Sequence, residues 1–328
     1  MYCYLNNKTK PSKYCYFYAL MHRTLICFLV IPILWASSSL FAQDPRLAYS
    51  LQPGEKYMLD IDIQQTTHSE SINSEEINLY SRTKLEFRVD SIDEKERIYL
   101  SAMYYDLLVS MLAPRMNIDI NSSSGRDPLL SNMVNNLEKK TFHIVMSSNG
   151  ELRETEGLDS LFSNLASYPV TDTLEQLVIL HTLDEVYGSD SFRSLFNLFF
   201  WVYPVIYPMT NWTNDMTYYF NTKPVKMTNR YSLTKTSEEG LVIQGLGVLN
   251  AQEEFKETTN MGEVTSSVSG NQTYDFQMDI ESGWLKQCVS RQQIKIETTI
   301  VKSDYLPAGL KIPSFTETVF EVKGSKIE

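Results

Sequence analysis

Long runs in which every second residue is apolar bracket a centre in which apolar residues recur every three or four positions. That change of period confines the chain to a sheet carrying a helical insert. In residues 55–67, Tyr57, Leu59, Ile61 and Ile63 alternate with Met58, Asp60, Asp62 and Gln64. Leu85, Phe87 and Val89 repeat the pattern in 76–92, Ile98 and Leu100 in 96–109, and Phe142, Ile144 and Met146 in 141–147. Asp93-Glu94-Lys95 and Ser148-Asn149-Gly150 supply turns between them. From Ala113 to Asn136 the alternation weakens into loop chemistry.

The centre reads differently. Leu158, Leu161, Phe162 and Leu165 fall at helical spacing. A second helix carries Leu174, Leu177 and Val178, capped by Thr171 or Asp172 and stopped at Gly188. A third, capped by Ser189 or Asp190, carries Phe192, Leu195, Phe196 and Phe199. Strands return at 216–222, 225–236, 241–250, 271–281, 284–300 and 315–323, with Glu281-Ser282-Gly283 as a hairpin turn. Glu253 to Ser269 reads as a long loop or a ragged hairpin. With 20 Tyr and 15 Phe, the composition also favours pleated, half-buried surfaces.

The expected fold is therefore α+β and β-dominated. Strand blocks at 54–147 and 216–323 make one large curved antiparallel sheet, or two related halves, and a central group of short helices at 156–208 packs on its concave face. Residues 43–328 form a single β-rich domain on this reading.

Residues 21–42, MHRTLICFLVIPILWASSSLFA, read as a signal peptide: a short positive start, an apolar core from Leu25 to Trp35, then small residues up to Ala42. The core is too short to span a bilayer, and no later segment qualifies. Residues 1–20 are either a start placed too early, with Met21 the true one, or an extended leading region. The setting expected is export to the periplasm or the outer membrane's vicinity. Cys3, Cys15 and Cys27 fall in the part removed, so Cys288 remains alone and reads as buried filler. Removing residues 1–42 takes away four of the 29 basic residues and none of the 40 acidic ones; 25 against 40 is a net charge of −15. So acidic a body argues against nucleic acid as a partner.

Four segments, LQPGEKYMLDIDIQQ (51–65), FHIVMSSNGEL (142–152), NWTNDMTYYF (211–220) and GNQTYDFQMDIESGWLKQ (270–287), together resemble a domain-of-unknown-function family found mainly in exported proteins of Bacteroidota-type bacteria. The resemblance covers nearly all of the mature chain. It implies an envelope setting and a β-rich body, and it carries no catalytic residues. At the level of fold alone, a curved sheet with helices in its mouth also resembles the lipoprotein carriers of the periplasm.

A search for chemistry finds no catalytic, cofactor or metal site. His68, His143 and His181 lack zinc-binding spacing. His181 lies near Asp184 and Glu185 and reads as a helix-surface residue, and His143 as exposed. Asp60 with Asp62, and Asp279 with Glu281, read as the wet faces of single strands rather than a carboxylate pair across a cleft. Asn117, Asp119 and Asn121 lack the order of a calcium loop. Gly245 and Gly247 read as a bulge or bend, not a dinucleotide loop. Asp90-Ser91-Ile92, Asp159-Ser160-Leu161 and Asp172-Thr173-Leu174 resemble short O-glycosylation acceptors of such envelopes and equally suit turns and helix starts.

The aromatic centre is the one segment with functional colour. Phe192, Phe196, Phe199, Phe200, Trp201 and Tyr203, with Tyr207 beyond, either line an apolar cleft or pack as core. The expectation is a non-enzymatic envelope protein that binds or carries a hydrophobic small molecule in that cleft. The alternative is a structural component of an outer-membrane or periplasmic assembly, with another envelope protein as partner.

Overall fold

The structure is a computed structural model and describes residues 47–69, 76–113, 116–121, 135, 137–163, 188–206, 209–220, 223–238, 240–250, 254–259 and 262–327. The signal segment, the expected second helix, His181 and Tyr207 lie outside the described residues, as does the Asp172-Thr173-Leu174 triplet.

Among the described residues, thirteen strands form a single antiparallel sheet. They are β1 (Lys56–Ser69), β2 (Glu76–Ile92), β3 (Ile98–Ala113), β4 (Met116–Asn121), β5 (Thr141–Met146), β6 (Leu152–Glu156), β7 (Asn211–Phe220), β8 (Lys223–Ser237), β9 (Gly240–Asn250), β10 (Phe255–Thr259), β11 (Gly262–Met278), β12 (Leu285–Lys302) and β13 (Lys311–Ile327). The order across the sheet is β6-β5-β3-β2-β1-β13-β12-β11-β9-β8-β7, with β4 beside β3 and β10 beside β11. Each block is a meander. The first and last strands join the two blocks, Ile61 opposite Val322 and Ile63 opposite Phe320. The two blocks are thus one sheet, not two halves.

The expected group of central helices is corrected. Among the described residues the centre carries α1 (Leu158–Ser163), six residues long, and α2 (Ser189–Phe200), twelve. Residues 152–156, just before α1, are drawn into the sheet by pairing with β5. Only α2 has a full apolar stripe, with Phe192, Phe196, Phe199 and Phe200 buried along one side. Its cap position falls on Gly188 rather than Ser189 or Asp190, so those two sit inside the first turn, where the Asp190 charge suits the helix dipole. Pro204 follows the last turn and cannot continue the helix.

Three further boundaries moved. Glu253 to Ser269 contains the β10–β11 hairpin, because Val264 and Val268 alternate inward with Ser and Thr between them. β7 begins at Asn211, ahead of the expected start, and buries Trp212, Asn214 and Met216. β4 occupies part of the expected loop after Ala113.

The sheet must curl. Flat, the ten spacings along its eleven-strand path would set β6 and β7 about 48 Å apart. Yet α2, about 18 Å long by its twelve residues, is bonded to both edges: the Leu152 amide of β6 donates to Asn197 Oδ1 at 2.9 Å, and the Tyr219 amide of β7 donates to Ser194 Oγ at 3.1 Å. An unclosed sheet has wrapped around one helix. Its convex face carries the charge: Asp62 binds Arg82 at 2.9 Å, Lys56 binds Glu86 at 3.3 Å, and Lys226 binds Asp215 at 3.0 Å. No helix among the described residues is long and apolar enough to cross a membrane.

Candidate functional site

The concave face over β1, β2 and β3 meets the apolar stripe of α2. The two surfaces enclose a seam lined by Leu59, Ile61, Ile63, Thr83, Leu85, Phe87 and Tyr104 from the sheet and Phe192, Leu195, Phe196, Phe199 and Phe200 from the helix. Inward parity places the sheet residues: Leu59 lies opposite Leu85, and Ile61 opposite Thr83. Aromatic rings tile the helix side. Phe196 stacks on Phe200 at 4.5 Å between centroids, Phe192 meets Phe142 edge-on at 5.2 Å, and Phe199 meets Phe320 at 5.7 Å. Each buried Phe contributes roughly 1.5–3 kcal/mol of transfer free energy.

Of the six residues singled out in the sequence, Phe192, Phe196, Phe199 and Phe200 line this seam; Trp201 and Tyr203 do not. Tyr203 is fully buried beyond the helix end, where its hydroxyl donates to the Gly283 carbonyl at 2.8 Å. Burial drives its pKa well up, so it stays a neutral donor. The seam residues that sequence reasoning missed are those on the sheet and Leu195. Their signal was present as strand parity, but nothing in one strand names its partner across the interior.

The C-terminal end of α2 is pinned. Tyr49 donates to the Phe200 carbonyl at 3.0 Å, Asn214 to that of Trp201 at 2.9 Å, and Trp212 Nε1 to that of Val202 at 2.7 Å. Gly150, at φ +91°, closes the β5–β6 turn against the same helix end. A Cβ there would fall 1.7 Å from the Phe200 oxygen, so only glycine fits. Near the other end, half-exposed Arg193 reaches Thr155 at 3.0 Å and Asp159 at 3.5 Å.

The residues weighed as chemical groups are dispersed. His143 sits on the convex face with its side chain 56% exposed, 3.3 Å from Ser101 Oγ and 3.9 Å from Asp90. Burial works to raise the Asp62 carboxyl, but hydrogen bonds from Arg82 and Tyr80 outweigh it and hold the group below the ordinary range. Asp279 lies in the β11–β12 turn, not on a strand, and binds the Glu281 and Ser282 amides. Cys288 is wholly buried, and burial raises its thiol pKa far above the reactive range. Gly245 and Gly247 mark no bulge, since both neighbouring registers run through them unbroken. They make room: a Cβ on Gly245 would lie 2.7 Å from the Tyr231 ring and 2.9 Å from that of Tyr274. Among the described residues no group of three His, Cys, Asp or Glu side chains forms a metal site.

Among the described residues these features define a class: an unclosed antiparallel meander, with ion pairs on its outer face, curled around an aromatic helix. The chain belongs to a family of unknown function, DUF6263, whose model matches residues 95–285, more than half of its length. No curated protein matches it. Among solved structures it is similar to a lipovitellin described for its lipid–protein interactions, at 12% identity and a TM-score of 0.46, over 84% of this chain and 26% of that one. The chain thus spans about a quarter of the lipovitellin chain. It is also similar to an outer-membrane channel from Pseudomonas putida F1 (7% identity, TM-score 0.23, 86% and 99% covered) and to OpdQ of Pseudomonas aeruginosa (5%, 0.22, 85% and 100%). Scores of this size fall short of a shared fold.

Proposed function

We propose that the protein is a non-enzymatic component of the cell envelope that holds a hydrophobic ligand in the seam between α2 and strands β1–β3. The observation that carries the reading is the seam's chemistry. Of its twelve lining side chains, only Thr83 and Tyr104 bear a polar atom. Its free space is about 30 Å³, where ~10–15 Å³ holds one water. An acyl chain therefore enters only as α2 lifts from the strands. The pinned end at 200–203 supplies the pivot, and the contacts of Arg193, Ser194 and Asn197 are the ones to break. The envelope setting rests on residues 21–42, and N-terminal sequencing of the mature protein, expected to begin after Ala42, tests it. An unclosed curled sheet with an apolar helix in its mouth is in keeping with a carrier of the periplasmic lipoprotein type.

The binding test is a fluorescence titration with N-phenylnaphthylamine. Saturable enhancement is expected, and Leu195→Trp, which fills the seam, should suppress it. A flat titration, together with native mass spectra free of co-purified lipid, would remove the reading.

A second reading has its own observation. Beyond the helix end, Val205 and Ile206 are 78% and 69% exposed on a turn. Such an apolar tip suits a protein of an outer-membrane or periplasmic assembly. A photo-cross-linker at Val205 in intact cells should then capture one envelope partner; a freely diffusing monomer argues against it.

A further inference from the structure

We infer that the ligand of the seam is an amphiphile whose polar end is uncharged, built of hydroxyl or amide groups. The inference rests on the hydrophobic-ligand reading and adds the head group. It begins with a single register row. Gln65 lies opposite Thr318, Thr318 opposite Gln292, and Gln292 opposite Gln272. Gln272 faces Gly247, which faces Asn229, which faces Asn214. Seven adjacent strands thus place six neutral hydrogen-bonding side chains at one level of the concave face, interrupted only by a glycine. Five of the six are buried, with Gln272 at 0% and Gln292 at 2% exposure. Gln292 donates to Gln272 at 2.8 Å, Gln272 donates to Ser290 at 2.7 Å, and Tyr274 donates to Asn229 at 3.0 Å.

This belt lies along the strands from the seam. Ile63 lines the seam, and Gln65 follows it on the same face. Level with Ile63, at the seam's edge nearest the belt, sits Ser81, two residues beyond Thr83. Ser81 is 1% exposed, and its hydroxyl has no hydrogen-bond partner. Across the same row, the buried Tyr231 hydroxyl is likewise without a partner. A buried polar atom is normally bonded, and leaving it unbonded costs free energy unless something arrives to pair with it. A head group extending past Thr83 meets the Ser81 hydroxyl first, level with Ile63, and the amides one inward row further on.

The same rows exclude charge. From the level of Ile61 to that of Thr67, no Asp, Glu, Lys, Arg or His among the described residues shares the inward register on β1, β2, β3, β7, β8, β9, β11, β12 or β13. An ionised carboxylate or phosphate there would be buried without a counter-charge, which is strongly unfavourable. A hydroxyl or amide would find partners of its own kind.

The test is competition against bound N-phenylnaphthylamine at pH 8 by two probes with one tail: monolaurin, whose head is a neutral glyceryl ester, and dodecanoate, which is ionised. Monolaurin is expected to displace the reporter at a concentration at least about ten-fold lower. Ser81→Ala removes a hydroxyl that bonds nothing in the protein, so its fold has nothing to lose. It should still narrow the preference about five-fold, the worth of one buried hydrogen bond. Gln292→Leu should narrow it further. Equal displacement by the two probes, or tighter dodecanoate, overturns the inference while leaving a hydrophobic site in place. A reporter that does not bind at all removes the hydrophobic-ligand reading and the head group with it.

Discussion

The two arms of the sheet fill their concave faces by different means. Over β1–β3 the inward residues are mostly aliphatic, and the cover comes from α2, a separate element. Over β7–β12, where α2 is also anchored through Ser194 and Tyr219, much of the fill grows from the strands themselves. Tyr231 and Tyr274 lie over the bare backbone of Gly245, Tyr274 donates to Asn229 beside Gly247, and Gln292 donates to Gln272. A surface sealed by its own side chains can open only by unfolding. A surface sealed by a helix opens when the helix moves. The difference locates adaptability in the first arm and rigidity in the second.

Substitutions test that contrast. The largest effect is expected from Phe196→Ala, which removes a ring stacked on Phe200 and edging Phe87. It should cost about 3–5 kcal/mol by urea unfolding and enlarge the seam. If the stability is instead unchanged, α2 is not the cover of this arm. Gly150→Ala drives a Cβ into the Phe200 carbonyl at a positive φ. About 3 kcal/mol is expected to be lost in the same assay, with reporter binding weakened because the pivot shifts. In the other arm, Gly245→Ala collides with the Tyr231 and Tyr274 rings. It should cost about 2 kcal/mol and leave reporter binding alone. A binding defect there would break the division of labour between the arms.

Smaller effects belong to the turn and the convex face. Burial raises the Asp279 carboxyl, but bonds from the Ser282 amide and hydroxyl and from Lys286 outweigh it and lower its pKa below 3.8. A carboxylate whose pKa is lower folded than unfolded stabilises fully above the unfolded value. That contribution is lost as pH falls through the folded one. Asp279→Asn should therefore cost about 0.5–1 kcal/mol at pH 7, and the gap to the parent should close in unfolding curves taken below pH 3.8. Arg82→Met breaks an exposed pair with Asp62 and should change stability by less than about 0.5 kcal/mol. A larger loss would mean that the convex charges carry more of the fold than the concave packing.

Local period determined much of this protein. Alternation in 55–67 and 271–278 set which side chains face inward, and helical spacing from Phe192 to Phe199 marked the helix that, among the described residues, is long enough to cover them. The turns at 93–95, 148–150 and 281–283 were legible because Gly, Asn, Asp and Ser act through their own backbone neighbourhood. Phe192, Phe196, Phe199 and Phe200, singled out in the aromatic run, share the helix side of the seam. Only the tertiary structure decided that β1 pairs with β13, making one sheet of two blocks. Only it set Gln65, Thr318, Gln292, Gln272, Asn229 and Asn214 in one row. The physical reason is register. Parity is a property of each strand alone, whereas alignment between strands far apart in sequence is chosen by the closure of the whole meander, and a slip of one residue would turn every inward side chain out.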